Sequence, residues 1–528
     1  MIEPTKRFIS LLKKSNLKDY YAGDDLSRIQ VDAFISKIAF IYEKVRNTIE
    51  YKEEHLLRKS AIERIVWRRI NIGISKENIA TSLIKELIRA GYLENNLIPT
   101  AKVEEVNAII NKYLVLMNMC GAKKTNSEGN KLLRWLISLA ACEIEESLVP
   151  PIQHFALVHF AYQVMGREVN LVDNALSAEE KKLQVVIAIN RVLIKSDPAM
   201  VHFLIWKYYN PKWRQVDKMQ LQQIAQKVKN LKLAIERQAK YHLSEKLIRL
   251  FKKYAIIFQV LREIILENPE EAEKIFSDPQ ELESHIKKTC EKLYKKARTK
   301  LRRGIFRVTL YIFITKMLLI LLLELPYERY IAESVIYLPL IINALFPPAL
   351  MFLIGMIIRV PSKKNTQTII KVAKTLVYQG RAGEFTGIGA PLKRSQLKSF
   401  VFGLLYFILF AASFGLIIYI LLKLSFTVFS VFIFLLFLSV VSFFGITIRQ
   451  GVRELVTMQR KENFFGFLLN LLSLPFLRMG HWISVKFSKI NIFVFIFDFI
   501  IEAPFKIFLE VVEDWFAFLR EKKEELYH

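Results

Sequence analysis

The chain changes its preferred solvent at about residue 304. Up to Arg303 it reads as a charged, water-soluble, helical protein. From Ile305 to Ile448 it carries four long apolar stretches, 305–325, 335–358, 399–422 and 426–448. Each is close to the ~20 residues that an α-helix needs to cross the ~30 Å hydrocarbon core of a bilayer. Backbone N–H and C=O groups find no water in that layer, so helices are the expected form. The pattern predicts an all-α integral membrane protein in three parts. A soluble helical domain covers 1–303, a transmembrane domain covers 304–448, and interfacial or re-entrant amphipathic helices with a tail cover 449–528.

A chain of 528 residues has room for two or three domains. Its 52% hydrophobic content understates the membrane part, because the apolar residues concentrate after residue 304. The net charge of +27 comes from 77 Lys and Arg against 50 Asp and Glu. Nucleic acid and anionic lipid are the two partners that such a charge attracts. No nucleic-acid fold signature accompanies it, so the lipid bilayer, with anionic lipid at the cytoplasmic face, is the expected partner. Cys120, Cys142 and Cys290 stand far apart with no CxxC pair. That spacing speaks against a cysteine metal site or a disulfide framework and suits a reducing compartment. Charges interrupt every apolar run of the first twenty residues, unlike a signal peptide.

Within 1–303 the apolar residues recur at helical spacing. Leu57, Ala61, Ile65 and Ile70 fall near one face of 56–70, and 76–90 repeats the habit with Gly91 as a C-cap. Ser177 and Glu180 fit a capping box, and Asp278 with Glu281 resembles one, with Pro279 at the first helical position. Asn268-Pro269 reads as another helix start. Polar segments at 121–130 and 210–214 mark possible subdivisions, and 216–266 reads as one long helical stretch. Its stripe of Ile224, Val228, Leu231 and Ile235 is suited to a partner helix, in this chain or another. The basic run 286–303 abuts the first span; its Lys295, Lys296, Arg298, Lys300, Arg302 and Arg303 are candidate contacts to anionic lipid, at about 1 kcal/mol for each basic residue near the surface.

Loop charges set the expected orientation. ELPYERYIAES, after the first span, carries more acid than base, whereas 359–398 is basic, as is the segment after 448. Positive-inside then places the N-terminus, the 359–398 loop and the C-terminus in the cytoplasm, in a multi-pass protein of the cell membrane. The apolar run that starts at Phe464 is only 14 residues long, which predicts an interfacial or re-entrant segment. Residues 490–519 place Asp498, Glu502, Lys506 and Glu510 four apart on one helix side among Phe, Ile and Leu. They form either an amphipathic helix at the cytoplasmic surface, kinked at Pro504, or a fifth span.

Candidate chemistry is sparse. Lys316 sits mid-way in the first span with Glu324 two turns further along the same face. Charges at that depth are costly and mark either a functional site or an internal pair. Asn343, Pro347 and Pro348 interrupt the second span, where prolines free carbonyls that can line an ion site or only make a kink. Asp498 and Glu502 would be a proton or cation site if their helix were inserted. His154 and His159, downstream of Glu143, Glu145 and Glu146, loosely resemble a metal constellation, but the spacing is poor for one helix face, and buried or surface histidines are the simpler reading. The glycine-rich, basic 380–395 lacks P-loop spacing, and no GxSxG occurs. No catalytic residue, metal or cofactor is implied.

Two functions compete at this level. One is a membrane-anchored scaffold that recruits a protein partner or self-associates through 1–303. The other is an oligomeric channel or transporter subunit that uses Lys316, Glu324 and the Asp498/Glu502 stripe. A membrane enzyme acting on lipid or isoprenoid phosphate has only the basic loop in its favour.

Overall fold

The computed structural model describes residues 1–22, 27–47, 53–72, 79–122, 127–173, 176–331, 336–358, 360–361, 363–381, 388–389, 396–457 and 464–489, with scattered positions after 507. The fold is all-α. Among the described residues the only paired strands are Leu171–Val172 and Ile388–Gly389, two parallel residues each. Among the described residues four helices are long and apolar enough to cross a membrane, which is the mark of a membrane protein.

The first of these begins far outside the apolar stretch. Pro279–Leu319 is a single α-helix, Ile320–Glu324 continues it as a π turn, and Leu325–Tyr330 completes it. Its start is a simple cap, not the full capping box expected: the Asp278 side chain accepts from the Gln280 backbone N–H at 2.8 Å. Its first turns bury Leu282, Ile286 and Cys290 in the helical body, and later turns bury Ile312, Lys316 and Glu324 in the apolar bundle. The expected stop at 325 does not occur. Pro326 sits where the π turn passes back into α-helix, and its missing N–H leaves one carbonyl of the preceding turn without a helical partner.

The remaining apolar helices are Tyr337–Ile357, Gln396–Lys423 and Val428–Arg453. The last runs past the expected 448 because Arg449 and Arg453 lie in its final turns, beyond the apolar stretch. Pro347 and Pro348 sit inside an unbroken second helix. They lack the N–H groups that would bond the carbonyls of Asn343 and Ala344. The first, second and fourth helices pack on one another, while little of the third is buried. Their outer surfaces carry Phe306, Leu322, Phe352, Phe407 and Phe432, all exposed and suited to lipid.

Phe464–Lys489 forms one helix, longer than its apolar run, with Pro475 inside it. It packs along the fourth helix and touches the third. The contact is close: a Cβ on Gly480 would lie 2.1 Å from the Ser439 carbonyl oxygen, so only glycine permits this approach.

Two large apolar clusters hold the helical body together. One joins helices between residues 21 and 239. The other joins the N-terminal helix Glu3–Lys13 to helices between 156 and 290, and it also takes in Ile369, Ile370, Ala373, Leu376 and Val377. Those five belong to Lys363–Lys374 and its π turn Thr375–Gln379, from the connection between the second and third apolar helices. That connection is therefore built into the body. Tyr378 donates to the Phe276 carbonyl at 3.0 Å, and Lys374 pairs with Glu283 at 2.7 Å. Asn365 donates to Tyr294 Oη and to the Leu455 carbonyl, each at 2.8 Å, and accepts from the Thr457 N–H at 3.0 Å. One side chain thus ties the long helix, the inserted helix and the segment after the fourth apolar helix.

Local signals fared unevenly. The Ser177/Glu180 capping box forms, with bonds of 3.0 and 3.2 Å, and Gly91 has the positive φ of +76° that a C-cap needs. A second capping box, Asp217 with Gln220, escaped the sequence reading. Asn268 does not start a helix. Its side chain donates to the Ile264 carbonyl at 3.2 Å, closing the preceding helix, and the next begins at Ala272. The stretch 216–266 is three helices, Lys218–Ala239, Ser244–Lys252 and Ala255–Glu267. Buried Leu243, Leu247 and Ile257 make the chain turn back onto the second cluster, an override of local propensity by packing.

Candidate functional site

Lys316, Glu324 and Asn343 come together inside the bundle, each at 0% exposure. Lys316 Nζ lies 3.5 Å from Glu324 Oε2 and 4.9 Å from the centroid of the Phe437 ring. Asn343 Nδ2 donates to Glu324 Oε1, and it lies 3.4 Å from the Ser430 carbonyl oxygen. Ser430 Oγ donates to Glu328 Oε1 at 3.2 Å. The fourth helix is capped here, since Thr427 Oγ1 accepts from the Ser430 N–H at 3.3 Å.

The π turn explains why two residues eight apart meet. Eight α-helical residues turn by roughly 800°, about 80° past two full turns. A π turn closes i→i+5 and rotates less per residue, which takes back much of that excess. The side chains start about 12 Å apart along the axis. Lys316 reaches one way and Glu324 the other.

The cluster has a direction. Glu328, Thr427 and Ser430 lie at the end of the bundle away from the body, where the third and fourth helices turn into each other. Lys316 is twelve residues back from Glu328, about 18 Å along the helix. On the body side of Lys316, Ile312 and Val441 belong to a buried apolar cluster that also takes in Met351, Ile433 and Phe437. The described polar track thus runs from mid-bundle at Lys316 to Glu328 at the end away from the body, and Lys316, Glu324, Asn343, Ser430 and Glu328 are all buried.

Sequence reasoning assembled Lys316, Glu324 and Asn343 as candidates but missed Glu328 and Ser430. Glu328 was read as part of the connecting segment because the apolar stretch ends at 325. The signal that finds it is the four-residue spacing from Glu324, which places both carboxylates on one face if the helix continues. Asp498 and Glu502 lie outside the described residues. Lys295, Lys296, Arg298, Lys300, Arg302 and Arg303 are all exposed on the long helix just before its apolar part.

The carboxylates near the histidines are already engaged by cations. Glu143 Oε1 pairs with Lys112 at 2.6 Å and its Oε2 accepts from Trp213 Nε1 at 2.7 Å. Glu145 binds Arg58 at 2.8 Å, and Glu146 binds Lys207 and Arg214 at 2.7 and 3.3 Å. Burial outweighs Arg58 and pushes the Glu145 carboxyl up to about 7. His154 meets His55 edge-on, with centroids 4.7 Å apart, whereas His159 stacks on Phe155. Among the described residues no group of three or more His, Cys, Asp and Glu could hold a metal ion. A cleft of about 440 Å³ beside Lys207, Trp213 and Arg214 is basic, but it gathers no catalytic set.

The chain matches no protein-family model, no curated protein and no solved structure. Its class is set by the fold alone: a helical membrane protein with a polar cluster buried among its apolar helices.

Two outcomes follow from this geometry. Lys316→Met leaves the Glu324 charge buried without its partner. Equilibrium unfolding in mixed micelles is expected to show a loss of about 3–5 kcal/mol, most of which Lys316→Met/Glu324→Gln recovers. Equal losses in the single and double variants would show that the pair does not carry the effect. The second outcome concerns His154, which burial, with His55, Arg262 and Arg58 nearby, holds down to about 3 from an ordinary 6.5. As pH falls through 6.5 the unfolded chain takes up this proton first, so stability drains away between pH 6.5 and 3. The contribution is at most ~1.4 kcal/mol per pH unit. The same unfolding assay run against pH should show a shallower acid loss for His154→Phe; parallel curves would contradict the assignment.

Proposed function

We propose that this chain is a membrane-anchored scaffold: a helical body held rigidly at the cytoplasmic face of the bilayer, where it recruits a protein partner. The observation that carries this reading is the joining of body and bundle. The body takes part of its core from the long helix, which continues into the first apolar segment, and part from Lys363–Lys374, which lies in sequence between the second and third apolar helices. Asn365 locks the two to the end of the fourth helix. An anchor built this way fixes the height and orientation of the body. The exposed basic residues from Lys295 to Arg303 are suited to anionic headgroups at the body side.

The gathering of Lys316, Glu324, Asn343, Ser430 and Glu328 favours a second reading, an oligomeric channel or transporter subunit. Reconstitution in vesicles containing anionic lipid separates the two. Under gradients of sodium, potassium, chloride or protons, the anchor reading expects no flux above protein-free vesicles. It also expects less anionic lipid retained after re-solubilisation when Lys295, Lys296, Arg298, Lys300, Arg302 and Arg303 are all changed to Gln. A flux that Lys316→Met removes would overturn the anchor in favour of conduction.

A further inference from the structure

The buried cluster holds two carboxylates, Glu324 and Glu328, and one ammonium, Lys316. Lys316 balances Glu324. Glu328 is 1% exposed, and among the described residues no cation pairs with it. The long helix brings Glu324 and Lys316 toward it. The second helix contributes Asn343, and the fourth contributes Thr427 and Ser430, none of which titrates. Arg329, the next residue, is exposed. An ionised Glu328 would leave the cluster one negative charge in excess, at a cost of several kcal/mol in a low-dielectric site.

Two oxygens in this cluster have no hydrogen-bond partner, Glu328 Oε2 and Asn343 Oδ1. A divalent cation would need about six or more oxygen ligands and would face Lys316 across the site. A proton needs one oxygen and removes the excess charge outright. Glu328 Oε1 already accepts from Ser430 Oγ, as the carbonyl oxygen of a neutral acid would.

We propose that the cluster is a proton-binding site, with one proton held on Oε2 of Glu328 and exchanged at the membrane face opposite the helical body. On release the Oε2–H bond breaks, a base in the solvent at that face takes the proton, and the carboxylate remains. Ile312, Met351 and Val441 belong to the apolar cluster packed beside Lys316, whereas Glu328 and Ser430 lie at the end of the bundle away from the body, so exchange at that face is the shorter route. The assignment does not rest on the anchor reading, because a site can bind a proton without passing it across.

Infrared difference spectra of the full chain in lipid bilayers, taken between neutral and alkaline pH, test it. The expected result is a carbonyl stretch of a protonated carboxylic acid at neutral pH, with one component lost in Glu328→Gln. That component should persist in Lys316→Met/Glu324→Gln, where Glu328 is the remaining carboxyl of the cluster. In Ser430→Ala it should move to higher frequency, because the carbonyl loses its donor. Ser430→Ala keeps the test decisive if Glu328→Gln fails to fold. Spectra in which Glu328→Gln loses no component, or in which the component it loses also disappears in the double variant or stays unmoved in Ser430→Ala, would overturn the proposal.

Discussion

One helix serves two solvents, and the rest of the molecule is arranged around it. Between Pro279 and Tyr330 the backbone hydrogen bonds pass from water to hydrocarbon without a break. The water-side turns need a polar outer face and obtain it from Lys295, Lys296, Arg298, Lys300, Arg302 and Arg303. The membrane-side turns need an apolar outer face and obtain it from Phe306, Tyr311, Leu318 and Leu322. The inner faces are both apolar, so Leu282 and Ile286 can enter the body core while Ile312 enters the bundle. Neither half can turn about this axis without disturbing packing in the other.

The low dielectric of the bundle then dictates who meets whom. Lys316 is tolerated at its depth because a π turn carries Glu324 back toward it and because the ring of Phe437 covers its ammonium. Glu324 requires Asn343, which fixes the rotation of the second helix, and Asn343 meets the Ser430 carbonyl, which fixes the fourth. Polar contacts of this kind choose one helix arrangement among the many that apolar surfaces alone would allow. Lipid-facing Phe and Leu on the third helix impose no such choice, and that helix is correspondingly the least buried.

Much of this could be read from the residues, and the failures share a cause. Hydropathy located the second, third and fourth apolar helices to within a few residues, and of the first only its apolar part, because a bilayer demands length and composition together. The charges at Lys316 and Glu324 stood out because they are expensive where they are. Errors arose wherever a local stop signal met tertiary packing. The apolar stretch ends at 325 but the helix runs on to Tyr330, so Glu328 was passed over. Asn268 looked like a start and closes the helix before it. The stretch 216–266 has no proline or glycine to divide it, yet burial of Leu243 and Leu247 turns it twice. The insertion of Ile369, Ala373 and Val377 into the body core could not be foreseen, because nothing local says which core a short amphipathic helix will join.

The continuity of the long helix through Gly304 is the central claim, since both the fixed anchor and the register of the polar cluster depend on it. A Cβ placed on Gly304 would meet nothing within 4 Å, so no close approach requires glycine there, and glycine weakens a helix by about 1 kcal/mol relative to alanine. Amide hydrogen exchange of the full chain in lipid nanodiscs tests the junction directly. The structure predicts helical protection running without a gap from Leu301 through Phe306. Exchange at Gly304 and its neighbours as fast as in unstructured chain would mean that body and bundle are hinged, and the account would fail.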